Sequence, residues 1–322
     1  MKNAFLFLMA AFTLIFSSCS DDDVEEEAIS FENNTESIFF GQDTTLSLNF
    51  SHDYLESEKY EWTLSKTGIV SVELDNNRIK VKGLKVGETE LTIKEKDGTL
   101  SAKCKLNVSI ESIKKCVVFG NSMTKHAITP YWWGEWGMAA SVREKDFVHV
   151  LDGLLEEEYG APIDFEGVNI ADWEVDALSF DKSRIDEYLT GDEDVVVVRL
   201  GENVQGNTLA SYKEELSALV EYMKLISPRA CFVITGNFWT NKEKDKIQKE
   251  VAYEYGCMWT ILDMFDTNAN KSSLSANVFG DDGAWHLISD GGSTAGAVAS
   301  HPGDLGMENI AKTIFSVLTE GE

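Results

Sequence analysis

The chain has 322 residues, more than one average domain needs and enough for two, one of them with a substantial core. Its 28 Lys and Arg against 55 Asp and Glu leave a formal net charge of -27, a field that repels nucleic acid and acidic polymers and excludes a phosphate backbone or a polyuronate as partner. Neutral glycans or small esters fit such a surface better.

The first residues, MKNAFLFLMAAFTLIFSSC, place Lys2 before an apolar run from Ala4 to Phe16 and then two serines and Cys19. A membrane-spanning helix needs about 20 apolar residues, so this run is a signal peptide over residues 1–18 rather than a span. The ending FSSC resembles a bacterial lipobox, which implies a lipidated Cys19 as the membrane anchor. The tract SDDDVEEE that follows makes residues 19–27 an acidic tether on composition. It also resembles the signal that sends lipoproteins of the Bacteroidetes to the outer cell surface. The expected location is therefore the outer membrane or cell surface, with the folded domains outside the cytoplasm. Cys104, Cys116, Cys231 and Cys257 show no metal-ligand or C-x-x-C spacing and read as buried free thiols, with an isolated disulfide left open.

Residues 28–110 alternate with period two in short runs at 44–50, 59–64, 69–74, 78–84, 88–96 and 102–110. Turn signals at Asp75-Asn76-Asn77, Gly87 and Asp97-Gly98 separate some of these runs, which predicts a small antiparallel sandwich with Trp62 in its core. Trp62, the following VSVEL and the V-x-G-L-x-x-G-x-x-x-L-T-I run from Val81 to Ile93 resemble the bacterial immunoglobulin-like domain of group 2, which implies a spacer or a weak adhesion unit.

From Glu111 onward, residues 111–322, the rhythm changes. The strands KKCVVFG (114–120), DVVVVRLG (194–201) and ACFVITG (230–236) are unbroken apolar runs, as a parallel sheet buried on both faces requires. Helices are predicted near 141–159, 208–226, 241–255 and 304–319, the second with Leu209, Leu216, Leu219, Val220 and Met223 on its apolar face. The fold class is α/β, a three-layer α/β/α sandwich with a mostly parallel sheet, preceded by the all-β sandwich.

Open sheets of this kind bind ligands outside the carboxyl ends of their strands. Three such ends carry Gly120-Asn121-Ser122, Gly201-Glu202-Asn203 and Gly236-Asn237-Phe238-Trp239, and Ser300-His301-Pro302-Gly303-Asp304 precedes the final helix. Together they bring a hydroxyl, an imidazole and amide donors to one edge. The G-N-S block, the Gly201-Glu202-Asn203 block and His301-Pro302 with Asp304-x-Gly306 resemble, in that order, the nucleophile, G-x-N and histidine blocks of the SGNH (GDSL-like) hydrolases, over about residues 113–319. The resemblance implies an esterase or deacylase with no cofactor or metal, Ser122 as nucleophile, His301 as base, and the Ser122 N–H and Asn203 side-chain amide as oxyanion donors. The chemistry stands without it: a serine hydroxyl needs a base within hydrogen-bond reach, and the oxyanion needs two or three donors at about 3 Å.

Two departures from the family pattern matter. The aspartate that usually stands three residues before the histidine is Val298 here, so the orienting group is an acid from elsewhere or a backbone carbonyl. Asp304 is one candidate acid and otherwise starts the last helix; Glu135 and Glu174 are candidates by elimination. The block that normally supplies a glycine N–H is Val168-Asn169-Ile170-Ala171-Asp172-Trp173-Glu174, without that glycine, which leaves a backbone donor at Trp173 or Glu174.

Trp132, Trp133 and Trp136, joined by Trp239, either pack in the core or wall the cleft, where they would suit a sugar face and a small acyl group. The acids Asp263, Asp266, Asp281 and Asp282 lack D-x-D-x-D-G order and read as a solvated face, and the glycine-rich stretch 291–296 with His286 before it as a mobile lip. The expected function is a surface-anchored serine esterase or deacetylase acting on ester or acetylated glycan substrate. The other readings are a lipase, or a non-catalytic carbohydrate-binding or adhesion lipoprotein. Oligomeric state has no signal in the sequence.

Overall fold

The computed structural model describes residues 28–50, 57–75 and 78–322. The expected signal peptide, Cys19 and the acidic tether lie outside the described residues, as does the Asn76-Asn77 turn. No helix among the described residues is long and apolar enough to cross a membrane.

The described residues of the N-terminal region hold eight strands: β1 (Ile29–Phe31), β2 (Thr35–Phe39), β3 (Asp43–Phe50), β4 (Tyr60–Leu64), β5 (Val70–Asp75), β6 (Arg78–Gly83), β7 (Gly87–Glu95) and β8 (Ser101–Ser109). They form two four-stranded sheets, ordered β1-β3-β6-β5 and β2-β8-β7-β4. Successive side chains point to opposite faces of a strand, so Leu46 and Leu48, Ile79 and Val81, Leu91 and Ile93, and Cys104, Leu106 and Val108 all reach one apolar cluster. Two expectations are corrected here. Polar residues of β2 (TESIF) hide a strand that pairs parallel with β8, so the second sheet is mixed. Trp62 lies on the edge strand β4 and is 39% exposed, because an edge position has a neighbour on one side only.

The rest of the chain is built on a five-stranded parallel sheet: β9 (Lys115–Gly120), β10 (Asp164–Asn169), β11 (Val195–Arg199), β12 (Cys231–Thr235) and β13 (Met258–Thr260), in the order β10-β9-β11-β12-β13. The helices are α1 (Phe147–Tyr159), α2 (Ala171–Val175), α3 (Gly206–Ala210), α4 (Tyr212–Ile226), α5 (Lys242–Glu254), α6 (Ala295–Ala299) and α7 (Asp304–Glu320), with a small hairpin of β14 (Asn277–Phe279) and β15 (Trp285–Leu287). Strand residues alternate between two apolar clusters. Cys116, Val118, Val195 and Val197 join Leu151 and Leu155 of α1 and Ile310 and Ile314 of α7. Val117, Phe119, Val196 and Val198 join Leu216 and Leu219 of α4 and Val251 of α5. Apolar demand from both sides explains the unbroken valine runs.

The predicted helices shift at their ends for local reasons. Helix α1 begins only at Phe147, where the Asp146 side chain accepts the His149 N–H at 2.8 Å and so caps it. The expected helix at 208–226 divides into α3 and α4 at Ser211, which leaves Leu209 exposed while Leu216, Leu219, Val220 and Met223 are buried.

Registers β10 to β9 and β11 to β9 set Asn169, Gly120 and Arg199 abreast at the carboxyl ends of their strands. The chain leaves β9 for one side and returns on the other, so the loops after β9 and β11 diverge from a common point, where such sheets open a crevice. Helix α7 is seated against the opposing loop by Gly306: a Cβ there would stand 2.2 Å from the Asn270 carbonyl oxygen and 2.8 Å from the Pro302 Cβ. Gly306→Ala should therefore cost about 1–3 kcal/mol of stability, as overpacking against backbone does, read as a lower urea midpoint at unchanged slope. An unchanged midpoint would mean that α7 shifts freely.

Candidate active site

After Gly120 the chain turns sharply, with the Thr124 and Lys125 N–H groups both donating to the Asn121 carbonyl at 2.9 and 3.1 Å. The buried Asn121 side chain reinforces the turn by accepting the Met123 N–H at 3.2 Å. Ser122 is left half-buried at its apex, its carbonyl taking the Met138 N–H at 2.8 Å. Among the described residues the Ser122 N–H meets no acceptor.

His301 arrives from the other end of the chain, just beyond α6. Its Nε2 lies 2.9 Å from Ser122 Oγ and its Nδ1 lies 2.8 Å from the Ala297 carbonyl oxygen. A carbonyl only accepts, so the ring proton sits on Nδ1 and Nε2 keeps the lone pair that faces the hydroxyl. Val298, which stands where the family pattern has its aspartate, is buried in the core. Trp239 meets the imidazole edge to face at 5.1 Å and donates its Nε1–H to the Ser300 carbonyl at 3.1 Å. Burial pushes the His301 pKa down to about 4, against the Ala297 carbonyl, which favours the protonated ring.

Asp304 is not beside this ring. Its carboxylate accepts the Ser141 N–H and hydroxyl, each at 2.8 Å, and the Lys145 ammonium at 2.8 Å. The expectation that it orients His301 is therefore corrected: as the first residue of α7 it points to the loop before α1, and the backbone carbonyl of Ala297 holds the imidazole instead. Glu135 is exposed on the 131–141 segment, with its N–H donating to Asp281.

Asn203 sits in the loop after β11 and gives its side-chain N–H to Glu174 Oε2 at 2.6 Å. Glu174 is fully buried, and its other oxygen receives the Asn121 amide at 3.2 Å, the Gly201 N–H at 2.5 Å and the Asn203 N–H at 3.4 Å. Gly201 has φ +143, a conformation L side chains rarely adopt, and it is this bend that turns its N–H to the carboxylate. Burial and the neighbouring Glu202 push the Glu174 pKa up, while these donors pull it back. Trp173 spends its N–H on Ile170 at 2.9 Å, so of the two expected backbone donors, Trp173 and Glu174, the first is corrected.

A second carboxylate, Glu202, accepts the buried Arg199 guanidinium at 2.6 Å, the Asn121 amide at 2.7 Å and the Phe238 N–H at 3.0 Å. Lys244 of α5 donates to the Gly201 carbonyl at 2.7 Å. Sequence reasoning missed Arg199, Glu202 and Lys244; the available signal was one arginine ending a strand otherwise made of valine.

The tryptophans divide. Trp132 and Trp136 pack edge to face at 5.5 Å inside the core, whereas Trp133 is half-buried and stacked on His286 at 4.5 Å. His286 is also held by Asp282 at 2.9 Å. The glycine-rich stretch, expected as a mobile lip, lies in a 3-10 run at 288–294 and the start of α6. Along β10, beside the Ser122 turn, two adjoining cavities of about 270 and 310 Å³ share Lys125, Glu135, Glu166 and Gly167, and neither is lined by Ser122 or His301.

No family model matches the chain, and no curated protein does. Among solved structures it is similar to a two-domain esterase, CEX, active on acetylated mannans and co-crystallised with mannopentaose, at 14% identity and a TM-score of 0.44, over 65% of this chain and 50% of that one. It is similar to the extracellular lipase of Streptomyces rimosus at 13% identity and a TM-score of 0.38, over 63% of this chain and 99% of that one. Domains 4 and 5 of the S-layer protein SbsC match 26% of this chain and 51% of theirs, at 24% identity and a TM-score of 0.21. The chain thus spans about half the length of the S-layer and two-domain esterase structures. Structural neighbours include esterases and lipases.

The shielded imidazole gives a direct test. In protein labelled at its five histidines, the resonance lost in His301→Ala should titrate near pH 4 rather than near the ordinary 6.5. Because the folded value lies below the unfolded one, His301 contributes stability that is complete above pH 6.5 and declines as pH falls toward 4. A midpoint near 6.5 would show that water reaches the ring.

Proposed function

We propose that this chain is a serine ester hydrolase of the SGNH type that removes small acyl groups from carbohydrate or other small esters. The observation that carries this is the pairing of Ser122 Oγ with His301 Nε2 at 2.9 Å, the imidazole being held by Ala297 in the tautomer that accepts a proton.

On this reading Ser122 passes its proton to His301 Nε2 as Oγ attacks the ester carbonyl carbon, and the carbonyl electron pair moves onto oxygen. The Ser122 N–H and the second Nδ2 proton of Asn203, the first being engaged by Glu174, are the donors for that oxyanion. Collapse expels the alcohol, which takes the proton from His301, and water repeats the sequence to release the acid. The charge that develops on His301 faces a carbonyl dipole in place of a carboxylate, so the machinery is a dyad. The ring of Trp239 against His301 supports a small acyl group over a long chain.

The same proposal covers organisation and place. Residues 111–322 form the hydrolase domain, a three-layer α/β/α unit, and residues 28–110 an immunoglobulin-like spacer. Lipidated Cys19 with the tether to residue 27 holds both at the outer membrane or cell surface, where an acetylated glycan is the substrate at hand.

Purified protein should hydrolyse p-nitrophenyl acetate and members of an acetylated oligosaccharide panel, and Ser122→Ala should lower kcat by a factor on the order of 10⁴ with folding intact. Equal rates for the two proteins on every ester would contradict the proposal.

A further inference from the structure

Beneath the candidate dyad lies a carboxylate that the acyl-transfer scheme does not use. Glu174 is carried on α2, a helix of one turn, and its neighbours Trp173 and Ala177 are buried in the core shared with α4 and α5, so its backbone is fixed by packing. The two Glu174 oxygens together meet donors from the loops after β9 and β11. Oε1 takes the Asn121 amide, one residue before Ser122, and the Gly201 N–H; Oε2 takes the Asn203 amide. With the Asn203 N–H at 3.4 Å from Oε1, the four donors match the total lone-pair capacity of a carboxylate and exceed that of a neutral amide of this size. A glutamine would offer one oxygen and turn an N–H₂ group toward donors.

We propose that Glu174 is a positioning residue: it fixes the Asn203 amide and the Asn121-Ser122 turn to a single anchor, and so sets where the oxyanion donor stands relative to the nucleophile. This role rests on the esterase reading above. The block at 168–174, which lacks the family's glycine, thus contributes a buried acceptor that aims a side-chain donor.

The test is a double-mutant cycle on p-nitrophenyl acetate with Glu174→Gln, Asn203→Ala and both together, with urea midpoints measured alongside. An interaction made only in the transition state lowers kcat and kcat/KM equally, so Glu174→Gln should reduce kcat about tenfold or more with KM little changed. In the Asn203→Ala background the same substitution should reduce it by no more than about twofold, since the group it acts through is gone. Equal factors in both backgrounds would overturn the proposal, because a residue that only supports the fold has no reason to act through Asn203. A second measurement needs neither turnover nor the Glu174 variant. In the wild-type protein one Asn203 Nδ2 proton, assigned by its loss in Asn203→Ala, should resonate well downfield of its partner and exchange slowly. A pair close together and fast to exchange would overturn the anchor itself. A downfield proton in a protein that splits no ester would instead overturn the esterase reading, and positioning with it, while leaving the tie between the two loops.

Discussion

A carboxylate removed from water costs several kcal/mol unless donors surround it, and this chain buries Glu174 and Glu202 under the carboxyl edge of its parallel sheet. Each draws its donors from more than one segment of the chain. Glu174 gathers donors from the loops after β9 and β11; Glu202, itself in the loop after β11, takes Arg199, Asn121 and the Phe238 N–H after β12. The Asn121 amide bridges both. Lys244 and Asp245 extend the arrangement to α5 through the Gly201 carbonyl and the Asn237 N–H. Loops that would otherwise diverge are held by a requirement that no buried charge be left alone. Removing one partner of such a pair costs about 3–5 kcal/mol, so these contacts specify one loop arrangement more than they raise stability.

The Ser122 turn inherits that rigidity, and the imidazole does not need it. His301 is placed by α6, whose last turn presents the Ala297 carbonyl, and by the Trp239 ring across its face. With Val298 turned into the core, no carboxylate among the described residues reaches Nδ1, and a dipole fixes the tautomer. Asp304 is then free for a different job: it fastens Ser141 and Lys145 to the start of α7, which keeps the loop carrying Trp133 against the segment that delivers the histidine.

How much of this was legible in sequence follows from the range of each interaction. The apolar runs at β9, β11 and β12 announced themselves because both faces of those strands are covered; β10 (DFEGVN) and the three-residue β13 did not, since edge strands need no such pattern. Ser122 is legible from the turn after an apolar strand and His301 from the block before the final helix, and the structure brings them together. The partner of Nδ1 could not be read, because a carbonyl leaves no trace in residue type. Glu174 stands in the sequence as a candidate orienting acid and as a backbone donor of the block that lacks its glycine, and Arg199 carries no role there. The bonds of Glu174 to Asn121, Gly201 and Asn203 span tens of residues, where spacing says nothing. Trp132 and Trp136 stood with Trp133 in one cluster of letters, yet two are core and one faces the surface.

The central claim is that His301 activates Ser122, and a covalent probe tests it without a known substrate. Diisopropyl fluorophosphate reacts with an activated serine by forming a P–O bond to Oγ and expelling fluoride. Peptide mass spectrometry should place a single adduct on Ser122, lost in Ser122→Ala and slowed at least a hundredfold in His301→Ala, the order expected when a nucleophile loses its base. Labelling of Ser122 at an unchanged rate in His301→Ala, or no labelling of Ser122 in the folded wild-type protein, would contradict the account.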